Sequence, residues 1–256
     1  MVKNILLYAH RGSTLLAPEN TLLAFEMALG FGADVLEIDV RLSRDGQIVV
    51  IHDATIDRTC NGHGKVCDLT LTQLKALDAA HHFTDLAGLS YRGQNIRLLS
   101  LTELFYLLPD TAINIDIKDN SAKAAYAVAD AIEMAGRQHK VNVGSFHAQA
   151  LAHFRRRLPT VTTAATQVEV AKLYFMRNHY RQPVFQYLQI PMRYKGIPLA
   201  TKRFVAHAAQ RGISSVFWTI NHTTTMNYLI ELGVNGIVTD RIDLAAQLVG
   251  REPGSV

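Results

Sequence analysis

Short apolar runs alternate with amphipathic segments along most of the chain. The apolar runs are rich in β-branched and aromatic residues, which favours buried strands, and the segments between them have the 3.6-residue period of helices. Strands are predicted at residues 4–10, 33–40, 111–118, 141–145, 161–165, 184–190, 214–220 and 235–240. Helices are predicted at residues 72–77, 102–107, 121–135, 147–157, 168–178, 201–210, 223–232 and 241–249, with a further helix in PENTLLAFEMAL that Asn20 can cap.

This alternation predicts an α/β fold, the TIM (β/α)8 barrel. Eight strand–helix units in roughly 250 residues match the usual size of that fold. The alternative is an open doubly wound sheet, which commonly begins with a glycine-rich GxGxxG turn. The sequence has no such turn. We therefore predict one barrel domain over residues 1–256.

The second unit departs from the simple alternation. Strand 2 runs into a turn at residues 44–46 (RDG), and QIVVIHD at residues 47–53 returns antiparallel to it. The spacing brings His52 back beside Asp39. Residues 53–92 are rich in polar and turn residues and have one short helix. We expect them to form a small capping insertion after strand 2, over the C-terminal face of the barrel.

Composition describes an ordinary globular protein. The chain has 256 residues, 48% of them hydrophobic and 19% charged, with a mean hydropathy of +0.07. No apolar run reaches the roughly 18 residues of a membrane span. No transmembrane segment or signal peptide is evident, so a cytoplasmic location is expected.

The net charge of +4 is only mildly basic. The dense basic run, RRR at residues 155–157, lies in a predicted helix, and we interpret it as a solvated helix face without a nucleic-acid partner. A positive potential also suits a phosphorylated small substrate. Cys60 and Cys67 do not form a CxxC pair, so reduced thiols are expected. The oligomeric state stays open.

Three carboxylates stand near the ends of adjacent predicted strands. In VLEIDV the strand period of two places Glu37 and Asp39 on one face, and TAINIDIK places Asp116 in the corresponding position of the next strand. Catalytic groups of a TIM barrel lie at such strand ends. Because oxygen-only sites suit hard cations, the three acids predict a divalent metal, Mg²⁺ or Ca²⁺. Surface acids paired with nearby bases are the weaker alternative.

Two histidines and two cations belong to the same predicted rim. His10 ends strand 1 and His52 ends the antiparallel return, so one can act as a general base and the other as a general acid. Arg11 and Lys118 can clamp an anionic substrate, balance the acids, or do both. Trp218, the single tryptophan, can line the pocket or pack in the core.

Four stretches of the chain closely resemble the glycerophosphodiester phosphodiesterase family. They are HRGSTLLAPENTLLAFEMAL, GADVLEIDVRLSRDGQIVVIHD, DRTCNGHGKVCDLTLTQLKALDA and GVNGIVTDR. The resemblance implies a TIM barrel with a capping insertion, a divalent metal, and hydrolysis of glycerophosphodiesters to sn-glycerol 3-phosphate and an alcohol.

The resemblance also implies residue roles. The family's catalytic histidines fall on His10 and His52, its phosphate-binding arginine on Arg11, its metal-binding ExD pair on Glu37 and Asp39, and its strand-3 lysine on Lys118. The family usually has ExK on strand 3, where this chain has Asp116-Ile117-Lys118. Aspartate keeps the charge but retracts it by one carbon–carbon bond, ~1.5 Å.

Two rival functions stay open at this point. A phospholipase D-like hydrolase would use the same site on lysophospholipids, with an apolar entrance that Phe83, Leu86, Leu89 and Tyr91 of the insertion could supply. Those side chains could equally pack against one another. A non-catalytic phosphodiester-binding barrel, disabled by the change to Asp116, is the second rival.

Overall fold

The fold is seen in a computed structural model that describes residues 5–176, 183–251 and 254. Most of the strands are buried and largely apolar, as expected for parallel strands covered by helices. In chain order they are β1 (Leu6–His10), β2 (Val35–Leu42), β3 (Ile48–Val50), β4 (Ala112–Ile117), β5 (Val141–Gly144), β6 (Thr162–Thr163), β7 (Tyr187–Ile190), β8 (Arg193–Tyr194), β9 (Ile197–Pro198), β10 (Ser214–Phe217) and β11 (Gly236–Thr239).

Eight of these strands form a nearly closed parallel barrel, which confirms the predicted TIM fold. Neighbouring strands follow the order β6, β5, β4, β2, β1, β11, β10, β7. A parallel bridge between Ala164, just after β6, and Tyr187 at the start of β7 joins the two ends of that row. The strand order therefore makes a ring in which the ends of all eight strands surround one mouth.

Helices connect the strands around this ring. They are α1 (Leu22–Gly30), α2 (Leu71–Lys75), α3 (Leu101–Leu107), α4 (Ala122–Met134), α5 (Ala148–Arg157), α6 (Gln167–Phe175), α7 (Lys202–Ala209), α8 (Thr223–Leu232) and α9 (Ile242–Leu248). Within the described residues, no helix has the length and apolar character needed to cross a membrane.

Where a strand or helix was predicted with bounds, the predicted and observed bounds agree within three residues over the described part of the chain. The predicted strand at 4–10 and the predicted helix at 168–178 each extend beyond the described residues, at position 4 and at positions 177 and 178. The small β8–β9 hairpin was not predicted. The prediction that Asn20 caps α1 was wrong. The capping residue is Thr21, whose side chain accepts from the backbone N–H of Ala24.

The antiparallel return after β2 has the predicted register. Val40 of β2 lies opposite Val50 of β3, and the N–H of Ile51 donates to the carbonyl of Asp39 over 2.9 Å. His52 is thereby brought to the level of Ile38, beside the acid pair. The following segment has an apolar cluster of its own against β3, which includes Ile56, Val66 and Leu74.

The arginine run of α5 is engaged in contacts within the chain. Arg155 Nη1 lies 2.7 Å from a carboxylate oxygen of Glu169, and Arg157 Nη2 lies 2.7 Å from one of Glu133. These pairs agree with the interpretation of the run as part of a helix surface.

Gly12 lies between β1 and α1 in a conformation that favours glycine. Its φ is +83°, and a Cβ there would lie 2.6 Å from the Cβ of Ala24 and 2.9 Å from its carbonyl carbon. We expect Gly12→Ala to lower the free energy of unfolding by about 2–4 kcal/mol, because the positive φ strains the alanine backbone and the new Cβ overlaps Ala24. Urea unfolding followed by circular dichroism measures this loss.

Gly30→Ala is the matched control. A Cβ at Gly30 would have no neighbour within 4 Å, and the residue ends α1. The free energy of unfolding should stay unchanged or rise by up to about 1 kcal/mol. Equal losses for the two variants would contradict the packing argument for Gly12.

Candidate active site

One cavity at the mouth of the barrel brings together all eight predicted site residues. Its volume is about 370 Å³. The predicted site residues that line it are His10, Arg11, Glu37, Asp39, His52, Asp116, Lys118 and Trp218. Strand register explains the convergence, since His10 lies beside Glu37 and Asp39 lies beside Asp116 on neighbouring parallel strands.

Lys118 lies between two of the three acids. Its Nζ is 2.8 Å from Oδ1 of Asp39 and 2.6 Å from Oδ2 of Asp116. On the other side of Asp39, Nε of Arg11 is 2.9 Å from Oδ2, an ion pair without hydrogen-bond geometry. Asp39, which is 1% exposed, thus lies between two cations. These contacts supply the positive charge without which buried carboxylates are too costly.

Asn20 completes the surroundings of Asp39. Nδ2 of Asn20 donates to Oδ2 of Asp39 over 3.1 Å, and the backbone N–H of Asp39 donates to Oδ1 of Asn20 over 3.4 Å. Asn20 has a φ of +57°, a left-handed conformation that asparagine tolerates better than most residues. Its place in the turn before α1 makes it a partner of the acid and not the expected helix cap.

The three carboxylates differ in their pKa. Burial and the charge of Asp39 raise the pKa of Glu37 to about 7. Burial also raises the pKa of Asp116, although Lys118 opposes this effect. For Asp39 burial acts in the same direction, but Lys118 and Arg11 outweigh it and hold the pKa below its usual value. The site therefore has one firmly ionised acid and two that take up protons more readily.

A carboxylate orients His10. Its Nδ1 is 2.6 Å from Oδ1 of Asp240, which also accepts from the hydroxyl of Thr14 over 2.7 Å. Oδ2 of Asp240 accepts from Nδ2 of Asn221 over 2.8 Å. Burial alone would lower the pKa of His10, but the hydrogen bond to Asp240 and the charge of Glu37 raise it. With Nδ1 donating to Asp240, Nε2 is the nitrogen left for proton exchange.

A second carboxylate holds His52 and connects it to Arg11. Nδ1 of His52 is 2.6 Å from Oδ1 of Asp53, whose other oxygen accepts from Nε of Arg58 over 2.6 Å. Arg58 also donates to both oxygens of Glu19, over 2.7 and 2.8 Å, and Arg11 donates to Glu19 over 3.2 Å. Burial would raise the pKa of Asp53, but the bonds from Arg58 and His52 lower it to about 2.

The sequence did not identify four charged residues of these networks: Glu19, Asp53, Arg58 and Asp240. Signals for all four were present, because PENT, HD, DRT and GIVTDR belong to the stretches that carry the family resemblance. Their partners could not be read from the sequence. Asp240 lies 230 positions from His10, and Arg58 lies 39 positions from Glu19.

Aromatic residues complete the lining. Trp218 is half-buried in the cavity wall, and its ring meets that of Phe146 edge to face at 5.8 Å between centroids. Phe83 and Tyr91 of the insertion instead pack on one another at 5.5 Å. Neither they nor Leu86 and Leu89 are among the described residues that line this cavity, so they do not supply its apolar entrance.

The acids suit a hard divalent cation by their chemistry. Glu37, Asp39 and Asp116 offer only oxygen atoms as metal ligands. Oδ1 of Asp116 is buried without a hydrogen-bond partner. Among the residues that the structure describes, no three metal-binding side chains are grouped closely enough to hold an ion as they stand. In this arrangement Lys118 supplies the positive charge between Asp39 and Asp116.

Comparison with known proteins adds an independent line of evidence. Residues 10–244 match the glycerophosphoryl diester phosphodiesterase family. The chain is 32% identical over 253 residues to a glycerophosphodiester phosphodiesterase of Caldanaerobacter subterraneus subsp. tengcongensis, covering 95% of this chain and 97% of that protein. It is 34% identical over 253 residues to one of Bacillus altitudinis, covering 94% and 97%.

A solved structure shows the same fold. The phosphodiesterase of Oleispira antarctica, in complex with its product sn-glycerol-3-phosphate, superposes with a TM-score of 0.78 at 22% identity. The superposition covers 95% of this chain and 96% of that one.

Removing the central cation should destabilise the protein. Lys118→Met leaves Asp39 and Asp116 buried side by side without their shared partner, so we expect the free energy of unfolding to fall by about 3–5 kcal/mol. Lys140→Met is the control, because Lys140 pairs with Asp110 at the surface and its loss should cost at most about 1 kcal/mol. Urea unfolding measures both, and a similarly small loss at Lys118 would contradict its role.

Proposed function

Since the chain belongs to the glycerophosphoryl diester phosphodiesterase family, we propose that it hydrolyses glycerophosphodiesters to sn-glycerol 3-phosphate and an alcohol. We further propose that His10 and His52 provide acid–base catalysis and that a divalent metal, Mg²⁺ or Ca²⁺, acts with them. The observation that carries this proposal is the arrangement of two histidines, each hydrogen-bonded to its own carboxylate, on one cavity with Arg11 and Lys118.

The two cations of the cavity bind the phosphodiester in this mechanism. Arg11 and Lys118 attract its non-bridging oxygens and favour the negative charge that grows on them in the transition state. Arg11 is held in place through Glu19, and Lys118 through the acids on either side of it. In this proposal the substrate phosphate lies between the two histidines.

The histidines move the protons. One accepts the proton of the nucleophile, which is water or the 2-hydroxyl of the substrate's own glycerol, and the nucleophile's oxygen forms a bond to phosphorus. The bond from phosphorus to the alcohol oxygen breaks, and the other histidine donates a proton to that oxygen. With the 2-hydroxyl as nucleophile, water afterwards opens the resulting cyclic phosphate.

The metal ligands in this proposal are Glu37, Asp39 and Asp116. Their oxygen chemistry and the unpartnered Oδ1 of Asp116 support the assignment. A bound cation would supply further positive charge for the phosphoryl oxygens.

We also propose that residues 53–92 cap the mouth of the barrel, within one domain. The support is that Asp53 and Arg58, from the start of this segment, contact His52 and Glu19 beside the cavity. The segment then contributes to the site as well as covering it.

Loss of either histidine should abolish most turnover. We expect His10→Ala and His52→Ala each to lower kcat by about 10²–10⁴-fold with folding intact, because each removes one proton-transfer step. Release of glycerol 3-phosphate from glycerophosphocholine measures the rate, and thermal melting checks the fold. His63→Ala, at a side chain that is 91% exposed, is the control. Wild-type turnover in either test variant would overturn the assignment of that histidine.

Metal removal tests the second part of the proposal. A chelator should abolish glycerol 3-phosphate release, and Mg²⁺ or Ca²⁺ added in excess of the chelator should restore it, because the acids then regain their cation. A panel of glycerophosphodiesters with different alcohols serves as substrate. Full activity in chelator would contradict the metal's role, and absence of product with every metal and substrate would favour a phosphodiester-binding barrel instead.

A further inference from the structure

Positive charge is concentrated in one stretch of the chain. Residues 159–230 hold eight Lys and Arg residues but a single acid, Glu169. The whole chain has 26 Lys and Arg against 22 Asp and Glu, so the other 184 residues hold 18 against 21. The net positive charge of the protein therefore comes from this stretch. It contains α6 and the β8–β9 hairpin, which follow the neighbouring strands β6 and β7 at one side of the barrel mouth.

The one acid of this stretch is already paired. Oε1 of Glu169 accepts from Nη1 of Arg155 over 2.7 Å, and its Oε2 accepts from Nη2 over 3.2 Å. Arg193 and Lys195 of the hairpin contact uncharged groups instead. Nη2 of Arg193 donates to a backbone carbonyl of the hairpin over 2.8 Å, and Nζ of Lys195 lies 5.6 Å from the centre of the Tyr194 ring. Their charges are therefore available to an anionic partner.

The exposed face of α6 is apolar apart from one lysine. Val168, Lys172 and Phe175 follow the i, i+4, i+7 spacing of a single helix face. Val168 is 59% exposed and Phe175 is 67% exposed, whereas a helix face in water normally carries polar side chains. Leu173 of the same helix is buried in the core, so the exposed apolar residues are additional to those that hold the helix in place. Apolar side chains grouped on an open surface commonly mark a binding site.

The β8–β9 hairpin extends this face along the mouth. The hydroxyl of Tyr194 donates to Oε1 of Gln167 at the start of α6 over 3.3 Å, and Tyr194 is itself 40% exposed. Phe175 and Tyr194 also line the cavity, so these exposed rings lie at its rim. We call the six residues of this face the rim surface; they are Val168, Lys172, Phe175, Arg193, Tyr194 and Lys195.

We propose that the rim surface binds an anionic lipid bilayer, with the mouth of the barrel turned towards the headgroups. Lys172, Arg193 and Lys195 meet the lipid phosphates, and the apolar side chains enter the boundary between headgroups and acyl chains. Helices that lie in a membrane interface have this composition, with Lys or Arg beside exposed apolar residues. A nucleic acid fits the charges but gives Val168 and Phe175 no apolar partner, and a second copy of the chain repels the cations.

Vesicle sedimentation tests this proposal without any substrate. The protein is mixed with vesicles of equal parts phosphatidylcholine and phosphatidylglycerol, or with vesicles of phosphatidylcholine alone. We expect at least about tenfold tighter binding to the mixed vesicles, since each Lys or Arg near an anionic surface contributes about fivefold in affinity. Absence of binding to the mixed vesicles, or equal binding to both kinds, would overturn the proposal. Neither result depends on turnover, so the proposed hydrolysis is tested separately.

Salt and a competing polyanion test the partner. Raising the salt from about 0.1 M to about 1 M shortens the screening length from about 10 Å to about 3 Å and should weaken binding to the mixed vesicles at least about tenfold. A single-stranded oligonucleotide is measured under the same conditions. Tighter binding of the oligonucleotide than of the mixed vesicles would assign the cations to a nucleic acid and overturn the proposal.

One pair of variants tests the charges of the rim surface. Lys195→Glu should weaken binding to the mixed vesicles at least about tenfold, because it replaces an attracted charge by a repelled one. Lys123→Glu makes the same change in net charge at an exposed lysine of α4 and should leave the affinity within about twofold of wild type. Equal losses in the two variants would show attraction by net charge alone and overturn the assignment to this surface.

A second pair tests the apolar contact. Phe175→Ser removes an exposed ring from the rim surface and should weaken vesicle binding at least about fivefold, because its burial in the interface is lost. Tyr106→Ser is the control, at an aromatic residue of α3 that is 83% exposed, and should keep wild-type affinity. Thermal melting checks the fold of each variant. Wild-type binding by Phe175→Ser, or equal loss in both variants, would contradict insertion of the rim surface.

Discussion

The contact of Lys118 with Asp39 and Asp116 is the interaction on which the site depends. Three carboxylates on two neighbouring strands would repel one another and would lose their hydration at the centre of a barrel mouth. One ammonium group at 2.8 and 2.6 Å from two of them, with Arg11 next to Asp39, makes this arrangement tolerable. The unequal contacts also explain why the pKa of Asp39 is lowered while those of Glu37 and Asp116 are raised.

The histidines are kept separate from this cluster by carboxylates of their own. Asp240 and Asp53 accept from the Nδ1 atoms of His10 and His52, so each ring presents its other nitrogen. The three proposed metal ligands, Glu37, Asp39 and Asp116, therefore do not have to orient the two histidines. The chain of contacts from Asp53 through Arg58 to Glu19 also makes the position of His52 depend on that of Arg11.

The polarity of the mouth divides along the barrel ring. Charged groups come from strands early in the chain, and apolar side chains such as Val170 and Ile197 come from segments after β6 and β7. The sequence offered Phe83 and Tyr91 of the insertion as candidates for an apolar entrance. In the structure these two rings instead pack on one another.

The sequence by itself determined the barrel and predicted eight of the residues that line its mouth, because strand periodicity and the position of strand ends are local properties of the chain. It did not reveal that Asn20 contacts Asp39 or that Asp240 orients His10. These contacts join residues that lie 19 and 230 positions apart in the sequence. The tertiary pairing of β1 with β11 and with β2 decides that they meet.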